Sequence, residues 1–349
     1  MSSLKEYAEK LNSADEAERT YAAEDIGYLD APDGVSVLVE RVGSEPSRVV
    51  RDAIFQALIR IDADASIEGC IRLLESEDPH IRNQAVDVLR RKGAGTIPFM
   101  NTVMRFGDKD LRKLVLDVLS GVHADGAAPI YETALRDPDP NVVITAVENL
   151  GRMRAVEFRS RIEDLLQADS HPMLIGACLE ALVGIGSESS LEAILRCFPD
   201  LATLPDFFLV PCLRAIGALG TAGELVKLAS LLAIRAPHLR PAILGALTAI
   251  HQRHPAEVYG EAFLPALQAV IEDGDPPLCR YQAVRALRFL SSRDDVYALL
   301  VSCLSSTERL VRLGAAETLR ATERPGWGPI LAAHALEESD EEILQALDC

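Results

Sequence analysis

Apolar residues recur along this chain at helical spacing, three and four positions apart, and seldom alternate as they would in strands. The stretch Asp78-Pro79-His80-Ile81-Arg82-Asn83-Gln84-Ala85-Val86-Asp87-Val88-Leu89 is representative, with Ala85, Val88 and Leu89 on one stripe. A short frame, Arg-x-x-Ala-x-x-x-Leu with the apolar classes relaxed, repeats at this spacing. It appears as Arg19/Ala22/Ile26, Arg51/Ile54/Leu58, Arg82/Ala85/Leu89 and Arg112/Val115/Leu119, and again as Arg240/Ile243/Leu247, Arg280/Ala283/Leu287 and Arg312/Ala315/Leu319. Between these the frame carries Val143/Ala146/Leu150, Ile175/Cys178/Leu182 and Cys212/Ala215/Leu219 without the Arg. Successive first positions lie 32, 31, 30, 31, 32, 37, 28, 40 and 32 residues apart. So regular a period marks a repeat architecture.

Helix punctuation recurs with the frame. An acid stands four residues before the Arg in Asp15/Arg19, Asp78/Arg82, Asp108/Arg112 and Glu308/Arg312, where it can accept from the free N–H groups of a first turn. Asp-Pro at 78–79, 137–138 and 139–140 suits the same place. The segments between, such as Ala65–Glu75 and Ala127–Leu135, supply a second helix per unit. Hairpin signals are nearly absent, and Asp33-Gly34 and Asp125-Gly126 fall at helix starts. The expectation is an all-α chain of about eleven antiparallel helix pairs: 3–28, 33–60, 64–91, 94–121, 124–152, 155–184, 188–218, 221–252, 257–290, 293–321 and a shortened 327–348. One pair cannot bury its apolar stripe alone, so neighbours must stack into a quasi-linear core.

This pattern resembles the HEAT repeat over essentially the whole chain, and especially the short bacterial kind found in phycobilisome-lyase-like HEAT proteins. The resemblance implies a right-handed α-solenoid running as one continuous domain over residues 1–349, and the spacing departs from it in irregular repeats near 197–211 and 251–263. It implies that the Arg-bearing helix is the second of each pair and lines the concave face. It also implies that acids and arginines of neighbouring layers form a buried ladder, which makes them scaffold and not catalysts. The missing arginines at Val143, Ile175 and Cys212 predict a ladder that is apolar or broken in the middle.

Charge narrows the partners. Lys plus Arg is 35 against 53 Asp plus Glu, a net charge of −18. Such a surface repels nucleic acid and anionic membranes, so neither is an expected partner. The most apolar stretch, Leu225–Ile250, is interrupted by Lys227, Arg235, His238 and Arg240, which argues against a spanning helix. The first residues lack the basic and apolar regions of a signal peptide. Seven scattered cysteines without a C-x-x-C pair read as reduced core thiols, Cys349 as a bystander, and the cytoplasm as the expected compartment.

Enzyme signatures are missing. HEAT-like hydroxylases hold iron with His-Glu pairs, and no histidine here precedes a Glu. HEAT-like DNA glycosylases need a basic, aromatic groove. Phosphate-loop, nucleophile-elbow and dinucleotide motifs do not occur. His251-x-x-His254 has no framing carboxylate or Cys and reads as a solvated helix end. The clusters Arg90-Arg91-Lys92 and 152–161 read the same way. No catalytic residue, metal or cofactor is expected.

Binding is then the remaining chemistry. With Ala85, Val88 and Leu89 facing the core, Asn83, Asp87 and Arg90 point toward the groove at 100° per residue. The position of Asp87 reads Glu24, Gln56, Asp87, Asp117, Glu148, Glu180, Gly217, Gly245, Arg285 and Glu317 down the repeats. Five of the first six are acidic, a candidate track for a basic segment of a partner protein. The two glycines are expected to leave the groove floor open, and Arg285 with Arg288 reverses the sign. Phe207, Phe208 and Trp327 are candidate aromatic anchors in an aromatic-poor chain, or alternatively plugs and end covers of the layers. These features point to a non-enzymatic scaffold or adaptor binding protein partners along the concave face. The alternative is an accessory subunit of a lyase or modifying enzyme, cradling a client protein or chromophore.

Overall fold

The computed structural model describes residues 2–122, 125–168, 171–254, 263–272, 275–290, 293–322 and 327–347. Cys349, Pro325-Gly326 beside Trp327, and residues 255–262 of the irregular 251–263 stretch lie outside them. All secondary structure among the described residues is helical. The chain divides into two compact units, Met1–Met153 and Arg154–Cys349.

The first unit holds α1 (Ser2–Lys10), α2 (Glu16–Tyr28), α3 (Asp33–Ser44), α4 (Arg48–Arg60), α5 (Asp64–Leu73), α6 (Pro79–Lys92), α7 (Ile97–Phe106), α8 (Lys109–Leu119), α9 (Ala128–Ala134) and α10 (Pro140–Arg152). The second holds α11 (Arg159–Ala168), α12 (Pro172–Ile185), α13 (Glu188–Cys197), α14 (Asp206–Leu219), α15 (Ala222–Ile234), α16 (Arg240–Arg253), α17 (Phe263–Glu272), α18 (Pro277–Ala286), α19 (Asp294–Cys303), α20 (Arg309–Ala321), α21 (Gly328–Ala335) and α22 (Glu341–Leu347). Each predicted pair is present as an odd helix followed by an even one. Within a unit, each even helix packs on its own partner and on the even helix of the next layer. That explains its wide apolar face: α4 buries Val50, Ala53, Ile54, Phe55, Ala57 and Leu58, whereas α3 buries Gly34, Val35, Leu38 and Val42.

The caps fall where the sequence places them. Asp15 accepts from Ala17 N at 2.8 Å, Asp78 from His80 N at 2.8 Å, and Asp108 from Asp110 and Leu111 N at 2.9 and 2.8 Å. Glu308 stands at the same position without a side-chain cap. Proline occupies the first turn of α6, α10, α12 and α18, where its missing N–H costs nothing.

The frame arginines tie each layer to the next. Arg19 donates to Glu45 at 2.9 and 3.0 Å, Arg51 to Asp78 at 3.0 Å, and Arg112 to Asp137 at 2.6 and 2.8 Å. In the second unit Arg240 pairs with Asp275 and Arg312 with Glu338 at 2.7 Å, while Arg280 stands 4.0 Å from Glu308. One rung is missing that the sequence predicts. Arg82 takes the Ser76 and Glu77 carbonyls at 2.6 and 3.0 Å, as Arg19 and Arg312 take theirs besides pairing with an acid, and Asp108 caps its own helix through Oδ1.

Two readings of basic residues change. Arg90 and Lys92 are not solvated ends: Arg90 donates to the Asp117 carbonyl at 3.1 and 2.8 Å, and Lys92 to the Ile59 carbonyl at 2.8 Å and to that of Ile61. Their long side chains reach back one layer or forward one layer to satisfy carbonyls that a helix end leaves orphaned. His251 is half-buried, its ring 3.7 Å from that of Phe289.

Candidate partner-binding face

At the fifth residue after the first frame position, most even helices are at least partly uncovered. In the first unit Glu24, Gln56, Asp87 and Glu148 are exposed at this position, on α2, α4, α6 and α10. Asp87 lies 4.0 Å from Arg91 one turn on, a solvated pair of little energetic weight. Asp117 on α8 differs. It is half-buried, and burial pushes its carboxyl above the ordinary value although Arg90, Arg152 and Lys113 pull it back. Asp87 and Asp117 line one cavity of about 350 Å³, together with His80, Asn83, Arg90 and Leu114.

In the second unit the same position changes character. Glu180 is exposed and stands 3.3 Å from Arg214. Gly217 is buried, not an open floor: a Cβ there would meet Ala246 Cα at 3.0 Å, so the glycine lets α14 and α16 touch. Gly245 is open, with nothing within 4 Å of its would-be Cβ. Arg285 donates to Tyr281 Oη at 3.0 Å and pairs with Glu317, which also accepts from Tyr281 Oη at 2.7 Å. Arg288 lies over the Phe289 ring, 4.8 Å from its centroid.

The aromatic candidates separate by burial. Phe207 is 54% exposed at the start of α14, while Phe208 is half-buried and stacks on Phe198 with centroids 6.0 Å apart. The irregular connection from Phe198 to Pro205 is clamped by the next layer: Arg235 donates to the Ala202 and Leu204 carbonyls at 2.7 and 2.9 Å and to Asp206 at 2.7 Å. Trp327 is half-buried against the core of the second unit.

Other chemistry is thin among the described residues. No three His, Cys, Asp or Glu side chains converge as a metal site, and no helix is long and apolar enough to cross a membrane. Six described cysteines are free thiols, and burial pushes those of Cys70 and Cys212 up to about 12.

Residues 4–90 and 264–348 match the family of HEAT repeats. This is a HEAT-repeat protein. Its HEAT solenoid is similar to the crystal structure of Kap121p, at 13% identity and a TM-score of 0.59, over 99% of this chain and 45% of Kap121p. The structure of Kap121p bound to RanGTP gives 14% identity and 0.59, covering 99% and 44%. That of the karyopherin Kap121p bound to the extreme C-terminus of the protein phosphatase Cdc14p gives 13% and 0.58, covering 99% and 45%. The HEAT-repeat chain thus spans less than half the length of these structures, and identity at this level speaks for fold alone. No curated protein matches it in sequence.

Proposed function

We propose that this HEAT-repeat protein is a non-enzymatic scaffold or adaptor, and that the even helices of its first unit receive a basic segment of a protein partner. One observation carries the reading. Glu45, Asp78 and Asp137 are taken by ladder arginines, yet Glu24, Asp87 and Glu148 recur at an exposed position outside the ladder. Like charges set at intervals on packed helices repel one another, and a chain keeps them at little cost only in solvent or against a cation. The solved karyopherin complexes with RanGTP and with a phosphatase C-terminus are precedent for a stack of this fold holding protein.

The test uses a fluorescein-labelled Lys-Gly repeat peptide and a Glu-Gly repeat control, read by fluorescence anisotropy. Triple charge reversal Glu24→Lys, Asp87→Lys and Glu148→Lys should weaken the basic peptide roughly tenfold or more at low salt, with the far-UV spectrum unchanged. Asp117 is spared because it is half-buried among cations. Equal binding of both peptides, or no change in the variant, would remove the acidic row from the account.

A further inference from the structure

The acidic row begins on α2 between two exposed tyrosines. Tyr21, Glu24 and Tyr28 follow one another at intervals of three and four residues and so share one stripe of the helix, with Tyr21 66% and Tyr28 69% exposed. We propose that Tyr21 and Glu24 form a seat for one arginine of the partner's basic segment, its guanidinium lying on the Tyr21 ring and donating to the Glu24 carboxylate. The proposal rests on the reading of the acidic row as the place where such a segment lands, and it adds which cation the segment carries.

Three observations lead there. First, the chain itself shows what a ring on this stripe takes. Arg60 of α4 lies over the Tyr28 ring, 4.0 Å from its centroid. Tyr28 and Arg60 hold the same repeat position in successive layers, each nine residues after its frame arginine, Arg19 or Arg51. The same step from Tyr21 leads to Ala53, which is buried and too short to lie over a ring. The next layer thus supplies a guanidinium to one tyrosine and none to the other. Secondly, the charge around Tyr21 is of one sign. Its neighbours on the helix surface, one turn before and after, include Glu18, Glu24 and Asp25. Glu18 accepts from Ser13 Oγ, a neutral donor that leaves its charge in place. Arg19, the sole basic residue of α2, is buried and bound to Glu45 in the ladder. Thirdly, neither the Tyr21 nor the Glu24 side chain has a hydrogen bond, ion pair or ring contact among the described residues. Residues three apart on a helix hold their Cβ atoms about 5–6 Å from each other, within the span of one guanidinium and its stem. A planar guanidinium can stack and pair at the same time, whereas the compact, strongly hydrated ammonium of lysine has no face to lay on the ring.

The test compares fluorescein-labelled Arg-Gly and Lys-Gly repeat peptides of equal length and charge, titrated with the whole chain and read by fluorescence anisotropy. The Arg-Gly peptide should bind roughly threefold or more tightly. Tyr21→Leu keeps the apolar bulk but not the ring, and should erase that margin while leaving the Lys-Gly affinity nearly unchanged. Tyr21→Phe should preserve the margin, and so should Phe106→Ala, which removes an exposed ring on α7. Because Tyr21 is exposed, none of its replacements opens the core, and far-UV circular dichroism should match the original chain.

A margin that survives Tyr21→Leu overturns the arginine seat. So does equal binding of the two peptides by the original chain; if that binding still falls on charge reversal at Glu24, Asp87 and Glu148, the acidic row stands without the seat. Binding of neither peptide overturns both.

Discussion

A single methyl group added to α2 measures how closely the layers approach. A Cβ at Gly27 would lie 2.8 Å from both Cα and Cβ of Ala57 on α4, against an ordinary carbon contact of about 3.5–4.0 Å. Gly27→Ala therefore requires α2 and α4 to separate locally by roughly 1 Å, and neither contacting atom can rotate away. Overpacking of this kind costs about 1–3 kcal/mol. Alanine returns up to about 1 kcal/mol in helix propensity, less here because Gly27 is next to the last residue of α2. The net expectation is a loss of about 1–2 kcal/mol in the first unit.

Gly245→Ala is the same chemical change in the middle of α16 with nothing within 4 Å. Only the propensity term operates there, so it should stabilise by about 0.5–1 kcal/mol. Urea unfolding followed by circular dichroism reads both, and hydrogen exchange assigns each change to its unit. A Gly27→Ala protein as stable as Gly245→Ala would refute the close approach of α2 and α4.

Glu45 is fully buried and accepts from Arg19, Arg41 and Ser47 N; burial alone would raise its pKa, but these donors outweigh it and hold the carboxyl below its ordinary 4.5. Its contribution is complete above the ordinary value and is lost as pH falls through the depressed one. Glu45→Gln should thus lower the Tm of the first unit more than Asp340→Asn, which breaks a more exposed pair with Arg309, lowers that of the second, and thermal scans should show the deficit shrinking in acid. Asp117 has the opposite sign. Its raised carboxyl makes protonation favour the folded state, and that benefit disappears as pH rises through the folded value. Asp117→Asn should raise the Tm at neutral pH by a small amount that vanishes under acid, and an unchanged Tm at neutral pH would count against the burial. Cys70 and Cys212, with thiols pushed up to about 12, should resist iodoacetamide at pH 8 in the native chain, whereas half-buried Cys197 should react sooner by mass spectrometry.

The helix pairs were legible because each uses a local code: an acid that caps, a proline in the first turn, and apolar residues three and four apart. Pair 33–60 coincides with α3 and α4 to the residue. The ladder was legible only in part, because its rungs depend on which of several nearby carbonyls and carboxylates a guanidinium reaches. Arg82 and Asp108 carry the same 26-residue spacing as Arg19 and Glu45, and both arginines take the carbonyls five and six residues back, yet Arg19 also pairs with its acid whereas Arg82 does not reach Asp108. Lys92 likewise reads as a solvated charge, since nothing local shows that the Ile59 and Ile61 carbonyls wait one layer back. The two groove glycines look alike in sequence and differ in space: Gly217 is pressed against Ala246, and Gly245 is bare.

That last contrast bears on where function can reside in a repeat. Stacking fixes the frame positions, since Ala22, Ile54, Ala85, Val115 and Ala146 must each fit between two layers and are buried. The fifth position after the frame Arg escapes this constraint wherever the neighbouring helix does not close over it. Residues there can change sign from Glu24 to Arg285 without disturbing the core, and where the layers do close, at Gly217, the side chain is surrendered to packing. Side-chain chemistry on this scaffold is therefore free to vary at the positions the stack leaves open. Glu24, Asp87 and Glu148 stand at such positions, and substitution there should leave the helices standing.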